Sequence, residues 1–134
     1  VIIDGILVGI VVWPVSAIIA LTIGVAGHAV GMPIMGIHLV GHIARSGLFF
    51  FVGWIYEATM ESSSKQATVG KMALGLKVTD LQGQRISFAR ATGRHFAKIV
   101  SKLILLIGYI MAGFTERKQA LHDMIAGTLV VRTQ

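Results

Sequence analysis

Between Val1 and Ala44 the chain carries one formally charged side chain, Asp4. A helix or sheet that faces water needs a polar face, and this stretch offers none. Ile2 to Ala26 is a continuous apolar run, longer than the roughly 20 residues that take a helix across a bilayer. A second span is expected over about residues 37–61, with Leu48-Phe49-Phe50-Phe51-Val52-Gly53-Trp54-Ile55-Tyr56 at its centre. Of the 134 residues, 54% are hydrophobic and only 13% charged, against roughly 45–50% and 25% in soluble domains. A chain this short buries proportionally little surface. It reads as an integral membrane protein, not as a soluble monomer or a disordered tail. The first segment lacks a basic leader and exceeds a signal core in length, so it is read as a span and not as a cleaved signal.

The remaining charge is one-sided. Net charge is +6, and eleven of the twelve Lys and Arg lie beyond Glu61. In an apolar chain such a basic half belongs over acidic lipid on the cytoplasmic side. The polar segment 62–86 is therefore expected inside, and the uncharged connection Gly27 to Gly36 outside. Nucleic acid is not expected as a partner, because no aromatic residues interleave with the charges and no nucleic-acid motif is present. The absence of cysteine removes disulfides, thiol nucleophiles and thiolate metal sites.

Within the polar segment, Leu76-Lys77-Val78-Thr79-Asp80 alternates as a strand. Leu81-Gln82-Gly83-Gln84 is a turn, Arg85-Ile86-Ser87 a candidate return strand, and Ser87 a helix cap. A helix is expected over 88–114. Its basic residues Arg90, Arg94, Lys98 and Lys102 recur every four positions, and its apolar part, Leu103 to Phe114, is too short to cross alone. It either enters the membrane with its charges turned to protein or headgroups, or lies at the interface. A short helix starting near Thr115-Glu116 and stopping at Gly127 precedes a second strand, Thr128 to Arg132. Both strands need hydrogen-bond partners, and pairing them with each other is the simplest solution. The fold class is thus mainly α and membrane-integral: two full spans, a third helix partly spanning or interfacial, and a β element of two or three strands.

Gln66-Ala67-Thr68-Val69-Gly70-Lys71, Gly75-Leu76-Lys77-Val78-Thr79-Asp80, Gly83, Arg94, Leu121-His122-Asp123 and Gly127-Thr128-Leu129-Val130-Val131 follow one another in an order that resembles the RDD family of small multi-pass membrane proteins. The resemblance covers nearly the whole chain and implies a single domain over 1–134. The family is named for an arginine and two aspartates. Asp4 matches the first aspartate and Asp123 the second; the arginine belongs a few residues before Asp4, and this chain does not contain it. Gly70, Lys71, Arg94 and His122 belong to the same pattern. The resemblance implies a location in a membrane, here expected to be a bacterial cytoplasmic membrane. It also implies a suspected part in transport, with some members resembling sodium/proton antiporters, and no enzyme chemistry.

Several groups are candidates for chemistry. Asp4 is either a proton or cation site or a helix-start residue bonded near the interface. Glu57 and Glu61, four residues apart on one helix face, require a nearby cation; neutralisation by Arg90, Arg94 and Lys98 is preferred over ion coordination. Asp123 is expected to pair with a basic residue such as Arg94. His38 and His42 have the spacing of two imidazoles on one metal or pigment, although histidines at a membrane interface explain them as simply. Lys71 after Gly70 lacks the spacing of a phosphate loop and is expected to reach lipid phosphate or a helix end. His122-Asp123 has no nucleophile in a recognisable setting. No enzyme activity and no cofactor are expected. Two spans and a partial third cannot enclose a water-filled path. The expected role is a non-catalytic accessory subunit of a larger membrane complex; the alternative is a homo-oligomeric ion transporter using Asp4, Glu57 and Asp123.

Overall fold

The computed structural model describes residues 2–104 and 121–133. In chain order the elements are α1 (Ile2–Ala29), α2 (Ile34–Ser62), α3 (Val69–Ala73), β1 (Leu76–Asp80), α4 (Phe88–Leu103), α5 (Leu121–Ala126) and β2 (Thr128–Arg132). They form two compact units, residues 2–53 and the residues from Trp54 onward.

The first unit is a helical hairpin. α1 and α2 are both long and apolar enough to cross a membrane, and both outrun the expected 2–26 and 37–61. α1 continues unbroken through Pro14. It stops where the Met32 amide donates to the Gly27 carbonyl at 2.8 Å. That bond needs a residue with positive φ beside it, and Gly31 supplies φ +70. Pro33 then leads into α2, where its missing amide costs nothing. The helices come closest near this turn: a Cβ on Gly27 would meet Ile37 Cγ1 at 2.6 Å. Gly5 and Gly9, four residues apart on α1, behave differently from each other. Gly9 faces Phe49, while nothing lies within 4 Å of a Cβ placed on Gly5. Ile10, Trp13, Ile18 and Leu21 on α1 and Met35, Leu39 and Ile43 on α2 are all exposed.

The second unit has a small core of Ala58, Val78, Ile86 and Ala91, with Trp54 packed against it. Trp54 Nε1 donates to Thr92 Oγ1 at 3.1 Å, and its ring tilts against Phe88 and Phe96. Tyr56 accepts the Val69 amide at the start of α3. β1 and β2 form a two-stranded antiparallel sheet, with Leu76 opposite Arg132, Val78 opposite Val130 and Asp80 opposite Thr128. The candidate third strand at 85–87 is absent, because the outer edge of β1 is satisfied otherwise. Gln66 accepts the Val78 amide at 2.7 Å and returns its side-chain amide to the Val78 carbonyl. The Gln84 carbonyl takes the Asp80 amide. The Asp80 carboxylate accepts the Gln82 and Gln84 amides around Gly83, whose φ is +79. Ser87 instead caps α4, its hydroxyl accepting the Arg90 amide. α4 is described to Leu103; the expected continuation to Phe114 and the helix start at Thr115-Glu116 lie outside the described residues.

Candidate functional site

The chemistry-bearing residues of the second unit converge on a buried ionic cluster. Glu57 and Glu61 come from the last turns of α2, Lys71 from α3, Arg94, His95 and Lys98 from α4, and His122 and Asp123 from α5. The central group is Arg94, a guanidinium 2% exposed, between Glu61 at 0% and Asp123 at 6%. Arg94 Nη1 donates to both Glu61 oxygens, at 2.6 and 2.8 Å, and its Nε donates to Asp123 Oδ1. Lys71 Nζ adds a second donor to Glu61 and lies 3.7 Å from Glu57. Glu57 also accepts from Lys98 and meets His95 Nδ1 at 2.6 Å. The buried hydroxyl of Thr128, the first residue of β2, donates to Asp123 at 3.2 Å. One guanidinium thereby joins α2, α4 and α5, and Asp123 passes the connection to the sheet.

The local sequence explains this convergence. α4 turns Ala91, Arg94, Ala97 and Ser101 inward. Small residues between the charges let it pack closely on α5, while the long side chains of Arg94 and Lys98 reach across to the carboxylates of α2. Its outward face carries Phe88, Phe96, Val100, Leu103 and Ile104, all exposed. This inverts the usual helix of a water-soluble fold, which buries its apolar stripe and exposes its charges.

The electrostatics follow from burial and neighbours. Burial works against the charged form of Arg94, but the Glu61 and Asp123 carboxylates outweigh it and hold the pKa above its ordinary value. His122 is pushed down to about 4, first by burial and then by Arg94, Lys98 and Lys71, against the opposing pull of Asp123. His95 is lowered by burial and Lys102, with Glu61 opposing. Both imidazoles are neutral at pH 7. The basic partners of the three carboxylates are Lys71, Arg94 and Lys98.

The expected site residues fall in three places. Glu57, Glu61, Arg94 and Asp123 come together, with the Arg94–Asp123 pair present. Arg90 is not in this set: it turns toward Asp80, with Nη1 3.9 Å from Oδ2. Lys71 is directed to the Glu61 carboxylate in the last turn of α2. Gly70, buried beside it, lies in the first turn of the short α3. Asp4 belongs to the first unit, in the first turn of α1. His38 and His42 line a groove of about 520 Å³ in the hairpin, together with His28 and Arg45. No three His, Cys, Asp or Glu among the described residues are arranged to hold a metal ion. His95, Thr128 and Arg45 carry weight that the sequence reading overlooked. Only Arg45 had a visible signal, as the lone formal charge between Asp4 and Glu57.

The family model of the RDD family matches residues 1–127. The uncharacterized protein YxaI of Bacillus subtilis (strain 168) is 38% identical over 136 residues, covering 96% of this chain and 89% of its own length. The uncharacterized protein RP437 of Rickettsia prowazekii (strain Madrid E) is 31% identical over 86 residues, covering 63% of this chain and 43% of its own. No solved structure matches. The match over residues 1–127, with the relative 38% identical over most of the chain, assigns it to a family: the chain belongs to the RDD family.

Proposed function

We propose that this protein is a non-catalytic accessory subunit of a larger complex in a bacterial cytoplasmic membrane, with 62–86 on the cytoplasmic side. The charge balance of the buried cluster carries this reading. Glu57, Glu61 and Asp123 each already hold a basic side chain. A cation-transport site needs a carboxylate that exchanges partners during each cycle. Here such an exchange at Glu61 or Asp123 would leave Arg94 as an uncompensated buried charge, which costs about 3–5 kcal/mol. The cluster is better suited to holding α2, α4, α5 and the sheet in one arrangement. The outward apolar stripe of α4 supports a place at or in the lipid, with Arg94 and Lys98 turned to protein.

The role is tested by extracting the tagged full chain from its native membrane in mild detergent. A stable heteromer of fixed stoichiometry is expected. Recovery as a pure homo-oligomer would instead favour the ion-transporter alternative.

A further inference from the structure

Arg45 lies eleven residues after Ile34 and eleven before Tyr56 in α2. At 1.5 Å per residue this is about 16 Å from either end of the apolar stretch, half the thickness of a hydrocarbon core of about 30 Å. If the hairpin spans a membrane, as the proposed function holds, Arg45 sits near the bilayer midplane. That is farther from either surface than an arginine side chain reaches. A charged group at this depth is unfavourable unless it meets a counter-charge or water.

The hairpin supplies no counter-charge. Arg45 is exposed, and among the described residues no hydrogen bond or ion pair holds it. The other formal charge of this unit is Asp4. Arg45 lines one groove with Ile6, Gly9, Ile10 and Trp13 and the other with Trp13 and Ser16, and Asp4 lines neither.

The groove also has a distinctive shape and chemistry. Ala17, Ala20 and Gly24 of α1 and Gly41 of α2 form small-residue walls. Such surfaces let another helix backbone approach closely. His38, His42 and Arg45 add a row of polar groups along one face of α2, and the lining contains no carboxylate.

We propose that this groove docks a transmembrane helix of a different membrane protein, whose Asp or Glu side chain pairs with Arg45. A lipid phosphate fits less well, because headgroups do not reside at this depth. A second copy in the same orientation also fits less well. It would present its Asp4 at the depth of the first copy's Asp4, and its Glu57 lies about 18 Å of helix rise from Arg45.

The inference rests on the accessory-subunit reading, and the experiment separates the two. The tagged full chain is purified from native membranes as wild type, Arg45→Leu and Arg45→Lys. Wild type and Arg45→Lys are expected to retain the same membrane protein. Arg45→Leu should retain at least tenfold less of it, at an unchanged melting temperature. A membrane-permeant carbodiimide should join the new amine of Arg45→Lys to an Asp or Glu inside an apolar segment of that protein, located by peptide mass spectrometry. Full retention by Arg45→Leu overturns the inference and leaves the accessory role standing. An adduct to a second copy of this chain, at Glu116 or elsewhere, or to lipid alone, overturns it as well. Wild type purified without any partner overturns both.

Discussion

The two units of this chain solve opposite problems. In residues 2–53 nearly every side chain is apolar and many are exposed, with few buried positions such as Val8, Val12 and Ser16. In the unit that begins at Trp54 the most deeply buried large side chains include Arg94 and Glu61. The first pattern is foreign to a water-soluble domain, whose surface is not continuously apolar. The hairpin's surface suits a surrounding apolar solvent, which leaves little for internal packing to do. The second unit brings charges from α2, α3, α4 and α5 together and neutralises them by pairing. Stability is therefore expected to depend on side-chain identity far more in the second unit than in the first.

The largest effect should come from Arg94. Arg94→Leu leaves Glu61 and Asp123 as buried carboxylates deprived of their shared donor, and should cost about 3–5 kcal/mol in detergent melts. Replacing Glu61, Arg94 and Asp123 together by apolar residues of similar volume should recover most of that loss, because the unpaired charges disappear with the pair.

Acid should weaken the same unit. His122 binds a proton near pH 4 in the folded chain and near 6.5 when unfolded. Between those values the unfolded state holds more protons, so stability falls as the pH drops from 6.5 to 4. His122→Gln should flatten that part of the pH profile of the melting temperature. An unchanged profile would remove His122 from the explanation.

The sheet offers a smaller effect with a defined direction. The Thr133 amide donates to the Gly75 carbonyl, and the Val78 amide points away from β2 to Gln66. Antiparallel pairs alternate, so Lys77 and Val131 form a hydrogen-bonded pair while Val78 and Val130 do not. Val131→Pro should remove a ladder bond and cost about 1–2 kcal/mol in the melt. Cysteines at Val78 and Val130 should oxidise to a disulfide, since non-hydrogen-bonded pairs hold their Cα atoms about 4.5 Å apart. Failure of both would contradict the register.

The smallest effect belongs to the hairpin. Ile10→Ala, at a site 66% exposed, should change the detergent melt by less than about 0.5 kcal/mol. A loss comparable to that of Arg94→Leu would erase the contrast between the units.

These differences also explain what the sequence could and could not reveal. The spans were legible from uninterrupted apolarity, and β1 and β2 from short β-branched runs beside Gly83 and Gly127. The Ser87 cap was legible as well. The third strand was not excluded in advance, because Arg85-Ile86-Ser87 has strand-compatible residues. What displaced it was a hydrogen-bond partner distant in sequence, Gln66. Glu57 and Glu61 announced a need for cations, but a four-residue period could not say which would come. Each step of four turns a helix about 40° beyond a full revolution, enough to send Arg90 to Asp80 and Arg94 to Glu61. The particular partner of Lys71 was illegible for the same reason: Glu61 sits at the end of a helix that the local motif does not mention.

The claim that the cluster is closed can be tested most directly by ion flux. Purified wild type and Glu61→Gln are reconstituted in proteoliposomes under a sodium or a proton gradient, and cation movement is followed with a fluorescent reporter. Flux no greater than in protein-free vesicles is expected for both. Gradient-driven flux by wild type that Glu61→Gln abolishes, with the melting transition retained, would contradict a structural cluster and place an ion path through it.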